Sequence, residues 1–184
     1  MTPQPRVISS LAVSGLPCSG KTTLSKELAT SLNWAHVNSG ERFRELASAV
    51  GLRIKDFGSL DDTVLKRVDE EIQTKIRKTS NCVWEGRLTI WLAREIKSVF
   101  KIYCLATRQA RASRCASREG LTVEKARELI AEREHEESAV FWRLYGIKNV
   151  RNESSPDLII DTTRNSAEAC VDLVLVALRK GAVV

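Results

Sequence analysis

A glycine-rich stretch near the start of the chain has the residue types of a phosphate-binding loop. It runs from Gly15 to Thr22, reads GLPCSGKT, and fits G-x-x-x-x-G-K-[ST] at every position. Glycines let consecutive backbone N–H groups converge on one anion, and the positive end of a following helix adds to the attraction. Lys21 would reach the β- and γ-phosphates, and the hydroxyl of Thr22 would bind Mg²⁺. The stretch therefore predicts a nucleoside triphosphate site.

The flanking residues place this loop between a strand and a helix. The apolar run LAVS precedes it, which is typical of a buried strand. Leu24, Leu28 and Leu32 then recur every four residues, as on one face of a helix. This context favours a phosphate site over a simple turn. The predicted ATP-binding residues of the loop are Gly15, Leu16, Pro17, Cys18, Ser19, Gly20, Lys21, Thr22 and Thr23.

Short apolar runs alternate with segments of helical periodicity along the rest of the chain. The runs that read as strands are LAVS, AHVN, CVWEG, FKIYCLA and LIID. Thr122 is a predicted N-cap for a helix that begins at Val123. The alternation predicts an α/β fold, with a five-stranded parallel sheet and helices on both faces. Ligands of such folds bind beyond the carboxyl ends of the strands, and four of the five strand ends here are followed by arginine.

The composition predicts a single domain that spans residues 1–184. The chain is 43% hydrophobic, which suffices for one substantial core. It has no apolar run long enough for a bilayer and no signal-peptide pattern, so we expect a cytoplasmic protein with no membrane partner. Five cysteines without a C-x-x-C pair, and two histidines, favour free thiols over a disulfide framework or a zinc site.

The net charge of +6 leaves three interpretations open: a surface excess of basic residues, a nucleic-acid surface, or a site for several phosphates. Arg111, Arg114 and Arg118 are spaced three and four apart, and therefore share one helix face. Their mutual repulsion is relieved either by water or by a nearby anion.

Two classes of P-loop protein are disfavoured by missing motifs. A regulatory GTPase would need an N-K-x-D motif, and the chain has none. An ATPase motor would usually have four apolar residues followed by Asp-Glu, which CVWEG is not. The remaining class is a small kinase that moves the γ-phosphoryl group to a second bound molecule. Such transfer depends on positioning and on cations around the phosphates, and arginines at the strand ends fit it.

Several further segments resemble the short cytidylate kinases that are typical of archaea. They are SGERFRELA, EGRL, RQARASRCASREGLT, EREHEESAVFWRLYGI and DLIIDTTRNS, and the likeness runs from about Leu11 to Leu178. The resemblance implies a P-loop NTPase fold of the nucleoside monophosphate kinase type. It implies an acceptor-binding (NMP-binding) segment at about 39–78 and a lid at about 115–145. It also implies phosphoryl transfer from ATP to CMP or dCMP with Mg²⁺.

The resemblance implies roles for individual residues. Arg44 would clamp the monophosphate with two parallel hydrogen bonds, which lysine could not do as well. Glu85 would hold Mg²⁺ through water, together with Thr22, and Arg111 and Arg114 would contact the donor. Catalytic roles fall on Lys21, Arg87 and Arg133, the last as a transition-state arginine in the lid. The implied acceptor-binding residues are Ser39, Arg44, Asp69, Gly86, Arg87 and Glu137.

Three positions depart from the family pattern. Val140 stands where a second lid arginine is expected, and Leu65 where an acidic residue is expected before Asp69. Cys18 replaces a usual glycine of the loop. These departures leave open a slow kinase, a lid cation supplied from elsewhere, or an altered substrate.

The expected partners are ATP and a nucleoside monophosphate, bound by a monomer or weak dimer. Nucleic acid is a possible but less favoured partner. The alternatives to a CMP kinase are a P-loop kinase with another small-molecule or nucleotide acceptor, and a nucleotide- or nucleic-acid-binding regulatory protein without turnover. The position of the arginines at strand ends favours the kinase.

Overall fold

The centre of the protein is a five-stranded, wholly parallel β-sheet. The computed structural model describes residues 6–49 and 61–183. Its strands are β1 (Arg6–Val7), β2 (Ser10–Gly15), β3 (Ala35–Asn38), β4 (Cys82–Glu85), β5 (Val99–Leu105), β6 (Leu158–Asp161) and β7 (Ala182–Val183). The order in the large sheet is β3-β4-β2-β5-β6, and β1 pairs with β7 in a separate two-stranded sheet. All five predicted strands and their parallel arrangement are confirmed; the β1–β7 pair was not predicted.

Helices connect the strands along the chain. They are α1 (Lys21–Leu32), α2 (Ser39–Ala49), α3 (Asp62–Lys78), α4 (Thr89–Leu92), α5 (Arg108–Glu119), α6 (Val123–Tyr145), α7 (Val150–Ser154) and α8 (Ala167–Gly181). The side chain of Thr122 accepts a hydrogen bond from the backbone of Lys125, which confirms it as the N-cap of α6. In the part of the chain that the structure describes, no helix combines the length and apolar character needed to span a membrane.

The sheet separates two hydrophobic clusters, so both of its faces are covered. Along β2, Leu11 and Val13 belong to one cluster, while Ala12 between them belongs to the other. Successive side chains of a strand point to opposite faces, which explains this alternation. The first cluster includes residues of α1 and α8, and the second includes residues of α3, α4 and α6. The predicted helical covering of both faces is therefore confirmed.

Strand β2 occupies the middle of the sheet and sets the position of the phosphate loop. It pairs with β4 on one side and β5 on the other, and all six of its residues are buried. Its register places Val13 opposite Glu85 and Gly15 opposite Cys104. The ends of β4 and β5 consequently flank the loop, which brings Glu85 next to the start of α1.

The segments predicted to form the acceptor site and the lid consist mainly of helix in their described residues. Residues 39–78 contain α2 and α3, and residues 50–60 between these helices lie outside the described part. Residues 115–145 contain the end of α5 and all of α6, with Gly120 at a positive φ of 66° between them. The division of the chain into core, acceptor segment and lid stays a prediction.

Candidate active site

The phosphate loop joins the end of β2 to the first turn of α1. Gly20 precedes the helix with φ of 85°, a conformation that glycine adopts at little cost. Gly15 is required for a different reason, because a Cβ there would lie 2.7 Å from the carbonyl oxygen of Cys104. Cys18 also has a positive φ, 59°, which disfavours side chains larger than glycine. The departure at Cys18 thus falls at a backbone position that favours glycine.

A cavity of about 520 Å³ lies over this loop and the end of β6, and we call it the donor cavity. The lining residues are Cys18, Ser19, Gly20, Lys21, Thr22, Thr23, Leu24, Arg114, Arg118, Thr162, Asn165, Ala167 and Cys170. Arg114 is held by Thr162, to which it donates one hydrogen bond of 3.0 Å at the hydroxyl and another of 2.6 Å at the carbonyl. The predicted ATP-binding residues Cys18–Thr23 and Arg114 therefore surround one cavity, and Arg118 joins them.

Thr22, which lines this cavity, forms an oxygen-rich pair with Glu85. The hydroxyl of Thr22 donates a 2.6 Å hydrogen bond to Oε1 of Glu85, and Nε2 of His36 lies 3.0 Å from Oε2. Glu85 is only 2% exposed, so these partners matter for keeping a charged carboxylate inside the protein. A hydroxyl ligand from Thr22 and a carboxylate that acts through water fit Mg²⁺, which usually takes most of its ligands from water and substrate phosphates. The described residues contain no cluster of three or more His, Cys, Asp or Glu side chains suited to a metal.

Lys21 is surrounded by both positive and negative side chains, which shift its pKa in opposite directions. Burial lowers its pKa below the usual lysine value, and the nearby Arg87 lowers it further. The carboxylates of Glu85 and Glu137 act in the opposite direction. A bound phosphate chain would add negative charge to this surrounding and favour the charged form of Lys21.

Arg87 links the phosphate loop to a second cavity. Its Nη1 donates a 2.9 Å hydrogen bond to the carbonyl of Gly15, and its Nε donates to Oε2 of Glu137. Arg87 and Glu137 both line a cavity of about 270 Å³, which we call the acceptor cavity. A guanidinium group therefore stands between the loop that would hold a triphosphate and a second, separate space.

The acceptor cavity is lined by both polar and apolar residues. Its polar lining residues are Ser39, Asp69, Arg87, Thr89, Arg133, Glu136 and Glu137. Its apolar lining residues are Phe43, Leu65, Ile72, Leu88, Leu92, Val140, Phe141 and Leu144, and Gly40 completes it. Gly86 lies beside two of the polar lining residues, because a Cβ there would approach within 2.5 Å of the Thr89 hydroxyl and 3.0 Å of the Ser39 Cβ. This arrangement suits a small molecule with a flat apolar body and an anionic group.

The chain is similar in sequence to known proteins over most of its length. Residues 10–164 match the model of the cytidylate kinase-like family. The chain belongs to the cytidylate kinase-like family. It is 37% identical over 171 residues to a cytidylate kinase of Pyrococcus abyssi, covering 91% of this chain and 92% of that one. It is 34% identical over 173 residues to a cytidylate kinase of Methanocaldococcus jannaschii, covering 91% and 96%.

A solved structure supports the fold independently. The crystal structure of a shikimate kinase from Aquifex aeolicus is similar with a TM-score of 0.57 at 18% identity, covering 93% of this chain and 96% of that one. At this identity the likeness concerns the fold alone. It confirms the predicted fold. The family match and the curated relatives confirm the class of enzyme: this cytidylate kinase-like protein is a phosphotransferase of the nucleoside monophosphate kinase type.

Four further residues that were predicted for the site of this family member are not among the described residues that line the donor cavity. Arg133 is exposed on α6 and lines the acceptor cavity. Arg44 lies on α2, and its side chain is outside the described part. Gly15 and Leu16 line a third cavity, together with Arg87 and with residues 147–151 near α7.

Arg111 lies apart from both the donor and the acceptor cavity. It is 3% exposed, forms an ion pair with Glu134 of α6, and donates a 3.4 Å hydrogen bond to the carbonyl of Pro17. It thus connects α5, α6 and the phosphate loop. A direct contact of Arg111 with the donor stays a prediction, whereas its contact with the loop is present in the structure.

Val140 and Leu65, the two apolar residues that depart from the expected family pattern, have a common structural explanation. Val140 and Leu65 are each 1% exposed and belong to the same hydrophobic cluster, although both also line the acceptor cavity. Val140 occupies a buried face of α6 that packs toward α3 and α4. An arginine at that position would be taken out of water, so the apolar residue fits this chain.

Several polar residues of the site were not predicted from the sequence. They are His36 behind Glu85, Thr162 behind Arg114, Glu134 beside Arg111, and Tyr145, whose hydroxyl donates a 2.7 Å hydrogen bond to Asp69. His36 and Thr162 each stand in or directly after a predicted strand, which is the one sequence signal that would have pointed to them. The partners of Glu134 and Tyr145 are too distant along the chain for any local pattern to reveal.

Proposed function

We propose that this protein transfers the γ-phosphoryl group of ATP to CMP or dCMP, giving ADP and CDP or dCDP. The observation that carries the proposal is the position of Arg87, which contacts the phosphate loop at Gly15 and lines the neighbouring acceptor cavity. An anionic acceptor bound there would meet the end of the triphosphate beside a cation. The proposal is supported by the cytidylate kinases among the relatives.

The proposed reaction is a direct in-line displacement. An oxygen of the acceptor phosphate forms a bond to the γ-phosphorus while the bond to the β–γ bridging oxygen breaks, and ADP leaves. The chain contributes positioning and positive charge: Lys21 on the transferred group, and Arg87 and Arg133 from the acceptor side. Thr22 and Glu85 would hold Mg²⁺, which neutralises phosphate charge when it is bound. No covalent enzyme intermediate is needed.

The preference for cytosine is supported by the chemistry of the acceptor cavity. Asp69 is an acidic residue on its α3 side, among apolar residues that suit a flat base. An ionised carboxylate accepts a hydrogen bond from the exocyclic amino group of cytosine, whereas uracil presents a carbonyl oxygen at the same position. Leu65, one helical turn before Asp69, adds apolar contact area.

The proposal is tested by assaying the purified protein with ATP, Mg²⁺ and each common ribo- and deoxyribonucleoside monophosphate in turn. We expect ADP formation to rise sharply with CMP and dCMP, and a product nucleoside diphosphate to appear in equal amount. Efficient phosphorylation of another acceptor, with CMP ignored, would reject the substrate and keep the enzyme class. ATP binding without transfer to any monophosphate would reject the proposal.

A further inference from the structure

A tyrosine at the end of α6 contacts a residue that lines the acceptor cavity. Tyr145 is the last residue of α6, and its hydroxyl donates a 2.7 Å hydrogen bond to Oδ2 of Asp69 on α3. Asp69 lines the acceptor cavity, whereas Tyr145 is not among its lining residues. Tyr145 therefore contacts the side chain of Asp69 without occupying space that a ligand would take.

The ring of Tyr145 is held firmly enough to fix this hydroxyl. Its centroid lies 4.6 Å from that of the Trp91 ring, at an interplanar angle of 38°. The guanidinium of Arg94 lies 3.8 Å from the centroid of Trp91 and donates a 2.9 Å hydrogen bond to the carbonyl of Trp91. The tilted aromatic contact restricts both rings, and the cation–π contact further restricts that of Trp91. The hydroxyl consequently has a defined position relative to Asp69.

The surroundings make Asp69 sensitive to its partner. Burial raises the pKa of this carboxyl to about 6, and the hydrogen bond from Tyr145 acts in the opposite direction. Burial and the neighbouring carboxylate raise the pKa of Tyr145, so its hydroxyl stays a donor at neutral pH. The other charged groups on the described elements around this pair are Glu70 on α3, which acts on Tyr145, and Arg87, Arg133, Glu136 and Glu137, which line the same cavity as Asp69.

We propose that Tyr145 is a positioning residue that makes the acceptor site selective for cytosine over uracil. By occupying Oδ2, it leaves Oδ1 of Asp69 as the oxygen available to the base. The exocyclic amino group of cytosine donates to such an oxygen, whereas the carbonyl of uracil is repelled by it. This inference rests on the proposed function and names the residue that sets its base specificity.

The test removes the hydroxyl alone by Tyr145→Phe. We expect KM for CMP to rise about tenfold while kcat and KM for ATP change little, because a hydrogen bond to a charged group is lost. The ratio of kcat/KM for CMP to that for UMP should fall by a similar factor. CMP affinity should fall at acid pH as Asp69 is protonated. In Tyr145→Phe this fall should begin at a higher pH than in the wild type, since Asp69 has lost a donor that favours its ionised form.

The chain offers a matched control and a double-mutant test. Tyr103→Phe removes the other tyrosine hydroxyl of the chain and should leave the CMP-to-UMP ratio unchanged. In the Asp69→Asn background, Tyr145→Phe should have no further effect on that ratio, because the residue through which it acts is gone.

Two outcomes separate this inference from the proposed function. If the wild-type protein phosphorylates CMP and Tyr145→Phe leaves both the ratio and the pH dependence unmoved, Tyr145 is merely structural and the inference is overturned alone. A lowered melting temperature without a change in ratio overturns it in the same way. If the wild-type protein ignores CMP, the proposed substrate fails and the cytosine role of Tyr145 fails with it.

Discussion

The hydroxyl of Thr22 donates a 2.6 Å hydrogen bond to Oε1 of Glu85, which joins the first turn of α1 to the end of β4. The register of β2 and β4 brings this about, because Val13 lies directly opposite Glu85. His36 holds the other carboxylate oxygen at 3.0 Å. The two residues proposed to hold magnesium are therefore oriented by contacts among α1, β3 and β4 before any nucleotide binds.

Replacing Glu85 by glutamine should weaken the use of Mg²⁺. The amide keeps the shape of the side chain but removes the negative charge that would orient the water shell of the cation. We expect the free Mg²⁺ concentration for half-maximal rate to rise about tenfold. The measurement is the rate of ADP formation against free Mg²⁺, with the exposed Glu95→Gln as the control. An unchanged Mg²⁺ dependence would remove Glu85 from the metal site.

Lys21→Ala should reduce phosphoryl transfer by at least about 100-fold, because a cation on the transferred group is lost. Single-turnover measurement at saturating ATP and CMP separates this loss from weaker binding. Lys26→Ala alters an exposed lysine of the same helix and should leave the rate near that of the wild type. Comparable rates for both variants would mean that Lys21 does not act on the phosphates.

Val140→Arg, which places an arginine where the sequence resemblance implies a second lid arginine, should destabilise the protein and leave its activity no higher. Val140 is 1% exposed, and a buried charge without a partner is costly. We expect the free energy of unfolding to fall by about 3 kcal/mol or more, measured by urea denaturation. Ala139→Arg, at the exposed neighbouring position, should be nearly neutral. A stable Val140→Arg protein with a higher kcat would show that this face of α6 turns toward the substrate.

Asp69→Asn should stabilise the protein at pH 8 but not at pH 4. The folded-state pKa of Asp69, about 6, lies above its ordinary value of 3.8, so the folded state binds this proton more tightly. The resulting stability is present below pH 4 and is lost as the pH rises through about 6. Asparagine has no such dependence, and we expect it to be more stable by about 2 kcal/mol at pH 8.

Urea denaturation at both pH values measures this difference, with the exposed Asp172→Asn as the control for a change of net charge. An Asp69→Asn effect of equal size at pH 4 and pH 8 would contradict the raised pKa. The same variant should lose selectivity for cytosine, so greater stability and poorer recognition would come from a single substitution.

The sequence predicted well those features that depend on residues close together along the chain. The phosphate loop is recognisable because Gly15, Gly20 and Lys21 act through the backbone of one short turn and one helix end. Leu24 and Leu28 are buried as their spacing predicts. Thr122 caps α6 through a hydrogen bond that spans three residues. The five strand ends follow from the same local patterns.

Local sequence patterns could not predict the features that depend on packing between distant elements. The buried position of Val140 follows from how α6 lies on the core, and the spacing of charged residues in EREHEESAV does not reveal it. Cys18 is strained relative to glycine because its φ is 59°, and the motif does not specify this backbone angle. Arg111 shares a helix face with Arg114 in the sequence, yet it is turned toward Glu134 instead of the donor cavity.

The amino-acid sequence by itself determined the parallel sheet, the phosphate loop and the family, because each is encoded in short contiguous segments. Only the tertiary structure decided which side chains share a cavity and which hold one another in place. Tyr145 and Asp69 are 76 residues apart, and their 2.7 Å hydrogen bond exists because α6 and α3 pack in one hydrophobic cluster. A hydrogen bond needs its two atoms within about 3 Å, and that proximity arises only when the chain has folded.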